Sequence, residues 1–205
     1  WRADWFEAFQ SPAAIARCVQ KLRVALRDKL LLVTFRTKAE GSEQALSHKE
    51  YLAFLHLILD TDCADLLDIE FFTAGADLPA LVEQAHSAGI TVVCSSHDFT
   101  KTPPRAELVS RMVQMQQAGA DLPKLAVMPQ CRSDVLELLA ATAEMADLHP
   151  ETPVITMSMG ALGAMSRLAG EAFGSAMTFA NPGQASAPGQ VSLNIVNEVL
   201  DALHL

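Results

Sequence analysis

Lys124 stands in Leu122-Pro123-Lys124-Leu125-Ala126-Val127-Met128, an apolar run with the character of a buried strand. A charged, unpaired lysine in such a run costs several kcal/mol. The less costly outcome is a depressed pKa, which leaves the amine neutral and nucleophilic. His97 closes a second run, Ile90-Thr91-Val92-Val93-Cys94-Ser95-Ser96-His97-Asp98-Phe99. An imidazole at that strand end moves protons near neutral pH. Amine nucleophile plus imidazole acid/base points to Schiff-base chemistry on a carbonyl substrate. The plainer alternatives are a lysine snorkelling out at a strand entrance and a hydrogen-bonded structural histidine. The remaining histidines are weaker candidates: His48, His56, His86 and His204 fall on helical patterns, and His149 in a loop.

Three further charged residues lie at the end of a strand-like run or shortly after one. Glu40, in Arg36-Thr37-Lys38-Ala39-Glu40-Gly41, could fix the tautomer of an imidazole and raise its basicity. Arg36 could bind a carboxylate or hydroxyls. Arg167 carries a planar fork suited to a carboxylate. The small, polar loop 181–190 has the composition of a substrate lid. Metal ligation finds no support, since there is no His-x-x-x-His, His-Glu-x-x-His or Cys/His cluster. A serine triad lacks its Gly-x-Ser-x-Gly turn.

The elements that must position these groups alternate along the chain. Strand-like runs fall at 29–37, 64–72, 90–99, 122–128, 153–159 and 176–180. They are nearly continuous in Val, Ile, Leu and Met, as strands covered on both faces are. Helical patterns fall at 12–28, 48–59, 78–88, 103–118, 134–148, 162–173 and 191–204. Ser11-Pro12, Ser47 with Glu50, and Ser133 give N-terminal caps, while Gly89 and Gly119 give stops. No Pro/Gly-rich linker interrupts the array, so residues 1–205 are expected to be a single α/β domain. Neither Gly-x-Gly-x-x-Gly nor Gly-x-x-x-x-Gly-Lys-Ser/Thr is present, which weakens nucleotide-binding versions of the fold. Arg36, Glu70, His97 and Gln130 recur at strand C-ends, which favours a (β/α)8 TIM barrel. Only six strands are found, and Trp1–Asp4 has the look of the tail of another. The expected barrel therefore lacks its first strand, its first helix and most of its second strand.

Composition bounds the partners. Half of the 205 residues are hydrophobic, 19% are charged and the net charge is −9. Nucleic acid and anionic membranes are unfavourable partners for such a chain, and no run reaches the length of a membrane span. The four cysteines form no Cys-x-x-Cys pair and suggest buried free thiols in a reducing cytoplasm.

Taken together, the chain resembles the type I 3-dehydroquinate dehydratases, the Schiff-base dehydratases of the shikimate pathway. The matching stretches are Phe35-Arg36 to Glu40-Gly41, Ser96-His97-Asp98-Phe99 with Pro103, and Pro123-Lys124 to Met128-Pro129-Gln130. Thr156-Met157-Ser158-Met159, Ser166-Arg167-Leu168-Ala169-Gly170-Glu171 and Ala185-Ser186-Ala187-Pro188-Gly189-Gln190 match as well. His97 and Lys124 are separated by 124 − 97 = 27 residues, as in the family pattern. The resemblance implies that Lys124 forms an imine with the substrate ketone, and that His97 moves the protons of a syn elimination of water. It implies that Glu40 orients His97 and that Arg167 holds the substrate carboxylate. Arg36 and Arg2, with Ser186 and Gln190 from the lid, would bind the carboxylate or ring hydroxyls, and Met157 and Met159 would form an apolar wall. It further implies a cytoplasmic homodimeric lyase without a cofactor or metal. A glutamate that precedes the Trp-Arg pair in the family pattern would fall before Trp1. A class I Schiff-base aldolase and a non-catalytic truncated relative are the competing readings.

Overall fold

The computed structural model describes residues 1–203. The chain divides into two compact units, Trp1–Ser95 with Ala118–Asp121, and Ser96–Gln117 with the chain from Leu122 onward.

The first unit contains α1 (Pro12–Leu26), β1 (Leu32–Thr34), α2 (His48–Leu59), β2 (Leu66–Glu70), the single turn α3 (Phe71–Ala74), α4 (Leu78–Ser87) and the first five residues of β3 (Thr91–Asp98). Its strands run parallel, with Leu32 opposite Leu66 and Leu66 opposite Thr91. The caps read from the sequence form as expected. Ser11 accepts a hydrogen bond from the Ala14 amide, and Ser47 and Glu50 make a reciprocal capping box. The apolar stripe of α2, Tyr51, Phe54, Leu55 and Ile58, has the helical spacing that buries one face. In β2 the alternation of side chains puts Leu67 and Ile69 on one face and Asp68 and Glu70 on the other, all fully buried. That second face carries the acids that bind Arg36.

The second unit contains the end of β3, α5 (Arg105–Gln117), β4 (Leu122–Val127), α6 (Arg132–Leu148), β5 (Ile155–Ser158), α7 (Ala164–Leu168) and α8 (Leu193–Leu203). β4 and β5 are parallel, with Lys124 opposite Ile155 and Ala126 opposite Met157. α5 packs on α6 and β4 through buried Leu108, Met112, Met115, Leu138 and Met145. The parallel β/α alternation expected from the sequence is therefore the one observed.

Several boundaries differ from the sequence reading. α6 is capped at Cys131 instead of Ser133, because Asp134 accepts from the Gln130 and Cys131 amides and claims the capping-box position. The helix expected over 162–173 is broken into α7 and a 3-10 turn, Glu171–Phe173. The chain doubles back so closely there that a Cβ on Gly170 would lie 2.6 Å from the Ser166 carbonyl oxygen. The run 176–180 is not a strand. A lone bridge, Val154 to Ser175, and the Thr178 hydroxyl bonded to the Arg167 carbonyl serve it in place of a ladder. Trp1–Asp4 contributes one parallel bridge, Arg2 to Thr34, before a 3-10 turn at Ala3–Trp5. His204, placed in the closing helix by its pattern, lies outside the described residues. Of the four free cysteines only Cys94 is buried, and Cys131 is exposed. Among the described residues no helix is long and apolar enough to cross a membrane.

Candidate active site

In the second unit, Lys124 is the third residue of β4 and is only 6% exposed. Burial of β4 on both faces removes its side chain from solvent and rules out the snorkelling alternative. Its Nζ lies 4.6 Å from the centroid of the Phe179 ring. Ala126, two residues on, sits opposite Met157 of β5, and Met157 and Met159 are both buried. His97 is half-buried near the end of β3, its ring stacked on Phe99 at 6.5 Å between centroids. The residues beside it are pinned. Ser96 Oγ accepts from Arg111 Nη1 at 3.1 Å. Asp98 Oδ1 accepts from the Thr100 amide, the Thr100 hydroxyl and the Lys101 amide. Burial raises the Asp98 carboxyl, but these hydrogen bonds outweigh it and hold the group below its ordinary value.

Arg167 is 2% exposed, at the end of the single-turn α7. Its Nη2 donates to the Pro188 carbonyl at 3.1 Å and its Nη1 to Met157 Sδ at 3.5 Å. Its Nε has no hydrogen-bond partner among the described residues, and no carboxylate of theirs forms an ion pair with it. Burial pushes the guanidinium below its ordinary value. Pro188 belongs to the loop expected to act as a lid, and its carbonyl also accepts from the Gly160 amide. Ser186 and Gln190 are bonded to one another: Gln190 Oε1 accepts from the Ser186 amide at 2.7 Å, and Gln190 Nε2 donates to Ser186 Oγ at 3.1 Å. A cavity of about 240 Å³ lined by Ser166, Arg167, Gly170 and Thr178 lies nearby, but neither Lys124, His97, Ser186 nor Gln190 lines it.

In the first unit, Arg36 is 4% exposed and is held by acids. Nη2 donates to both oxygens of Asp68 at 3.0 and 2.9 Å. Nη1 donates to Glu70 Oε1 at 2.9 Å, Ser95 Oγ at 3.0 Å and Glu40 Oε2 at 3.3 Å. Burial alone would lower the Arg36 pKa, but Asp68, Glu70 and Glu40 raise it above its ordinary value. Both terminal nitrogens expected to take substrate thus already serve acceptors of the chain. Glu70 also accepts from the Thr37 amide and from the hydroxyls of Thr37 and Thr73, which clamps the 3-10 turn Lys38–Glu40 that carries Glu40. Arg2 places Nε and Nη2 on the two oxygens of Asp4 at 2.7 and 2.6 Å and lies 5.2 Å over the Trp5 ring. Cys94 sits near this cluster. Burial, helped by Asp68 and Glu40, pushes its thiol well up and leaves it inert.

The model of the family described as type I 3-dehydroquinase matches residues 1–205. The chain belongs to the type I 3-dehydroquinase family. It is 47% identical to the 3-dehydroquinate dehydratase of Bacillus subtilis, over 100% of this chain and 80% of that protein. The corresponding protein of Klebsiella pneumoniae is also 47% identical, over 99% of this chain and 81% of its own. The crystal structure of type I 3-dehydroquinate dehydratase from Clostridium difficile superposes with a TM-score of 0.95 at 45% identity, covering 100% of this chain and 80% of that one.

This type I 3-dehydroquinase thus gathers Lys124, His97, Arg167, Met157, Met159, Ser186 and Gln190 in one unit, and Glu40, Arg36 and Arg2 in the other. Sequence reasoning gave no role to Asp68, Ser95, Asp4 or Phe179, and none to Glu70 beyond its place at a strand end. A signal for the two β2 acids was present. Leu66-Leu67-Asp68-Ile69-Glu70 puts two carboxylates on one face of a strand otherwise apolar. Phe179 left no such signal, since an aromatic residue in an apolar run reads as core.

Proposed function

We infer that this chain is a 3-dehydroquinate dehydratase, a lyase of the shikimate pathway working through a lysine imine. The observation that carries the reading beyond family membership is Arg167, a buried guanidinium with no carboxylate paired to it among the described residues. A buried cation is strongly disfavoured without an anion, and the substrate of the family brings a carboxylate to such a site. Lys124 Nζ attacks the substrate ketone. The carbinolamine loses water to an iminium at C3, which can take up the electrons of the C2–H bond and so acidifies the C2 proton. His97 removes that proton and returns one to the departing C1 hydroxyl. Hydrolysis of the imine releases 3-dehydroshikimate and restores the amine.

Glu40 is proposed as the carboxylate that sets the imidazole's tautomer, and Arg36 as the cation that presents Glu40. Arg2, Ser186 and Gln190 are proposed to bind carboxylate or ring hydroxyls, with Met157 and Met159 as the apolar wall. The imine supplies the electron sink, so no cofactor or metal is invoked. Residues 1–205 are proposed to act as one catalytic domain of a cytoplasmic homodimeric enzyme. The Clostridium difficile relative was solved with covalent modified comenic acid, which supports covalent chemistry for the family. The carbon–carbon cleavage of an aldolase has no comparable support.

The test is reductive trapping. Borohydride with 3-dehydroquinate is expected to add a ligand-sized mass to Lys124, and Lys124→Ala to abolish both adduct and turnover. A folded protein that yields no adduct, or a Lys124→Ala variant within tenfold of the parent rate, overturns the reading.

A further inference from the structure

We propose that Phe179 is a further catalytic residue, its ring face stabilising the positive charge that forms on Lys124 nitrogen when the imine is protonated. The inference rests on the imine chemistry above and goes beyond it by assigning a residue to the cationic intermediate.

The geometry is specific. Lys124 Nζ lies 4.6 Å from the Phe179 centroid, inside the roughly 6 Å within which a cation is drawn to an aromatic face. The ring quadrupole is negative over its face, and the attraction grows as water is excluded. Lys124 is 6% exposed and Phe179 is half-buried, so this contact is largely dry.

The chain on both sides of the ring is also held. One residue before it, the Thr178 hydroxyl donates to the Arg167 carbonyl at 2.9 Å. Two residues after it, the Asn181 amide donates to the Val191 carbonyl at 2.9 Å, and Asn181 Nδ2 to the Gln190 carbonyl at 3.1 Å. The segment that carries the ring is thus tied to the backbone of the carboxylate-binding arginine and to the end of the lid loop. A ring carried on a segment held this way has less need to reorganise as charge develops, which is the condition under which an electrostatic contact lowers a barrier.

The charge it meets arises in a balanced sequence. The neutral amine nitrogen bonds to the ketone carbon, the carbonyl π pair goes to oxygen, and one proton passes from the nitrogen to that oxygen, which restores the nitrogen lone pair. The carbinolamine then takes one more proton and loses water. The nitrogen lone pair forms the C=N bond, and the cation is left on nitrogen under the ring.

A graded series at position 179 tests this in the full protein. Mono-, di- and trifluorophenylalanine keep the ring's shape and progressively empty its face. The expected result is a stepwise fall in kcat with each fluorine, about tenfold across the series, with KM within threefold. Phe179→Tyr, which keeps the face, is expected within twofold of the parent, and Phe179→Leu about tenfold slower. Borohydride trapping on Lys124 in the parent is run alongside. A parent that traps substrate while the fluorinated series shows a flat kcat overturns the role of Phe179 alone. A Phe179→Leu variant as fast as Phe179→Tyr does the same. A parent that traps nothing overturns the imine reading and this inference with it.

Discussion

Arg36 and Arg167 are both buried guanidiniums, and their surroundings give them opposite tasks. Arg36 is surrounded by Asp68, Glu70 and Glu40, and its two terminal nitrogens are engaged. Its charge is consumed in holding the chain's own acids. Arg167 has a carbonyl and a thioether, and its Nε is unpartnered among the described residues. On the proposed reading its charge meets the substrate carboxylate. Replacing Arg167 by Lys keeps the charge and loses the fork. The expected outcome is a fall in kcat/KM of roughly 10- to 100-fold, the worth of one or two charged hydrogen bonds, mostly as a rise in KM. Steady-state kinetics decides it; an unchanged KM would remove Arg167 from carboxylate binding. The sequence showed one arginine at the end of a strand-like run and the other shortly after one and could not tell them apart, because the distinction lies in Asp68, Glu70 and Ser95, 32 to 59 residues away along the chain.

At the scale of elements, the loop 181–190 has the small, polar composition of a lid, yet it is firmly seated. The Pro188 carbonyl accepts from both Gly160 and Arg167. Gly189 has φ +76°, and a Cβ there would come within 2.2 Å of the Gly160 carbonyl oxygen, a backbone atom that cannot swing away. Gly189→Ala is therefore expected to unseat the loop while leaving α5, β4 and α6 intact. Limited proteolysis should cut within 181–190 faster than in the parent, and KM should rise several-fold. Equal cleavage rates would show that the loop tolerates the side chain and that its seating does not serve the site. The caps of α1 and α2 were legible from sequence because they are satisfied within three residues. The break between α7 and the 3-10 turn was not, because it follows from a close approach of Gly170 to the Ser166 backbone.

At the scale of the molecule, acid sensitivity follows from carboxylates that folding stabilises in their charged form. Asp4 is buried, which by itself raises its pKa. Hydrogen bonds from Arg2, Ser42 and the Arg36 amide outweigh this and hold it below the ordinary 3.8. Asp98 shifts in the same direction. A folded pKa below the unfolded one contributes stability that is fully present above the unfolded value and is lost as the pH falls through the folded value. Urea midpoints are expected to be flat above about pH 5 and to drop steeply below about pH 4. Asp4→Asn is expected to lower the midpoint at neutral pH and to flatten the acid limb. A parent whose midpoint does not change between pH 5 and pH 3 would contradict this account.

The amino-acid sequence by itself determined the β/α alternation, the caps of α1 and α2, the placing of Lys124 within a strand and His97 near a strand end, and that of Glu40 and Arg167 in the segments that follow strands. Each of these depends on periodicity or on neighbours a few residues apart. Only the tertiary structure decided that Arg36 serves three acids, that Phe179 lies over the Lys124 amine, and that 176–180 forms no ladder. Those outcomes depend on groups distant in the chain competing for the same buried donors, acceptors and space, and local pattern carries no record of which competitor wins.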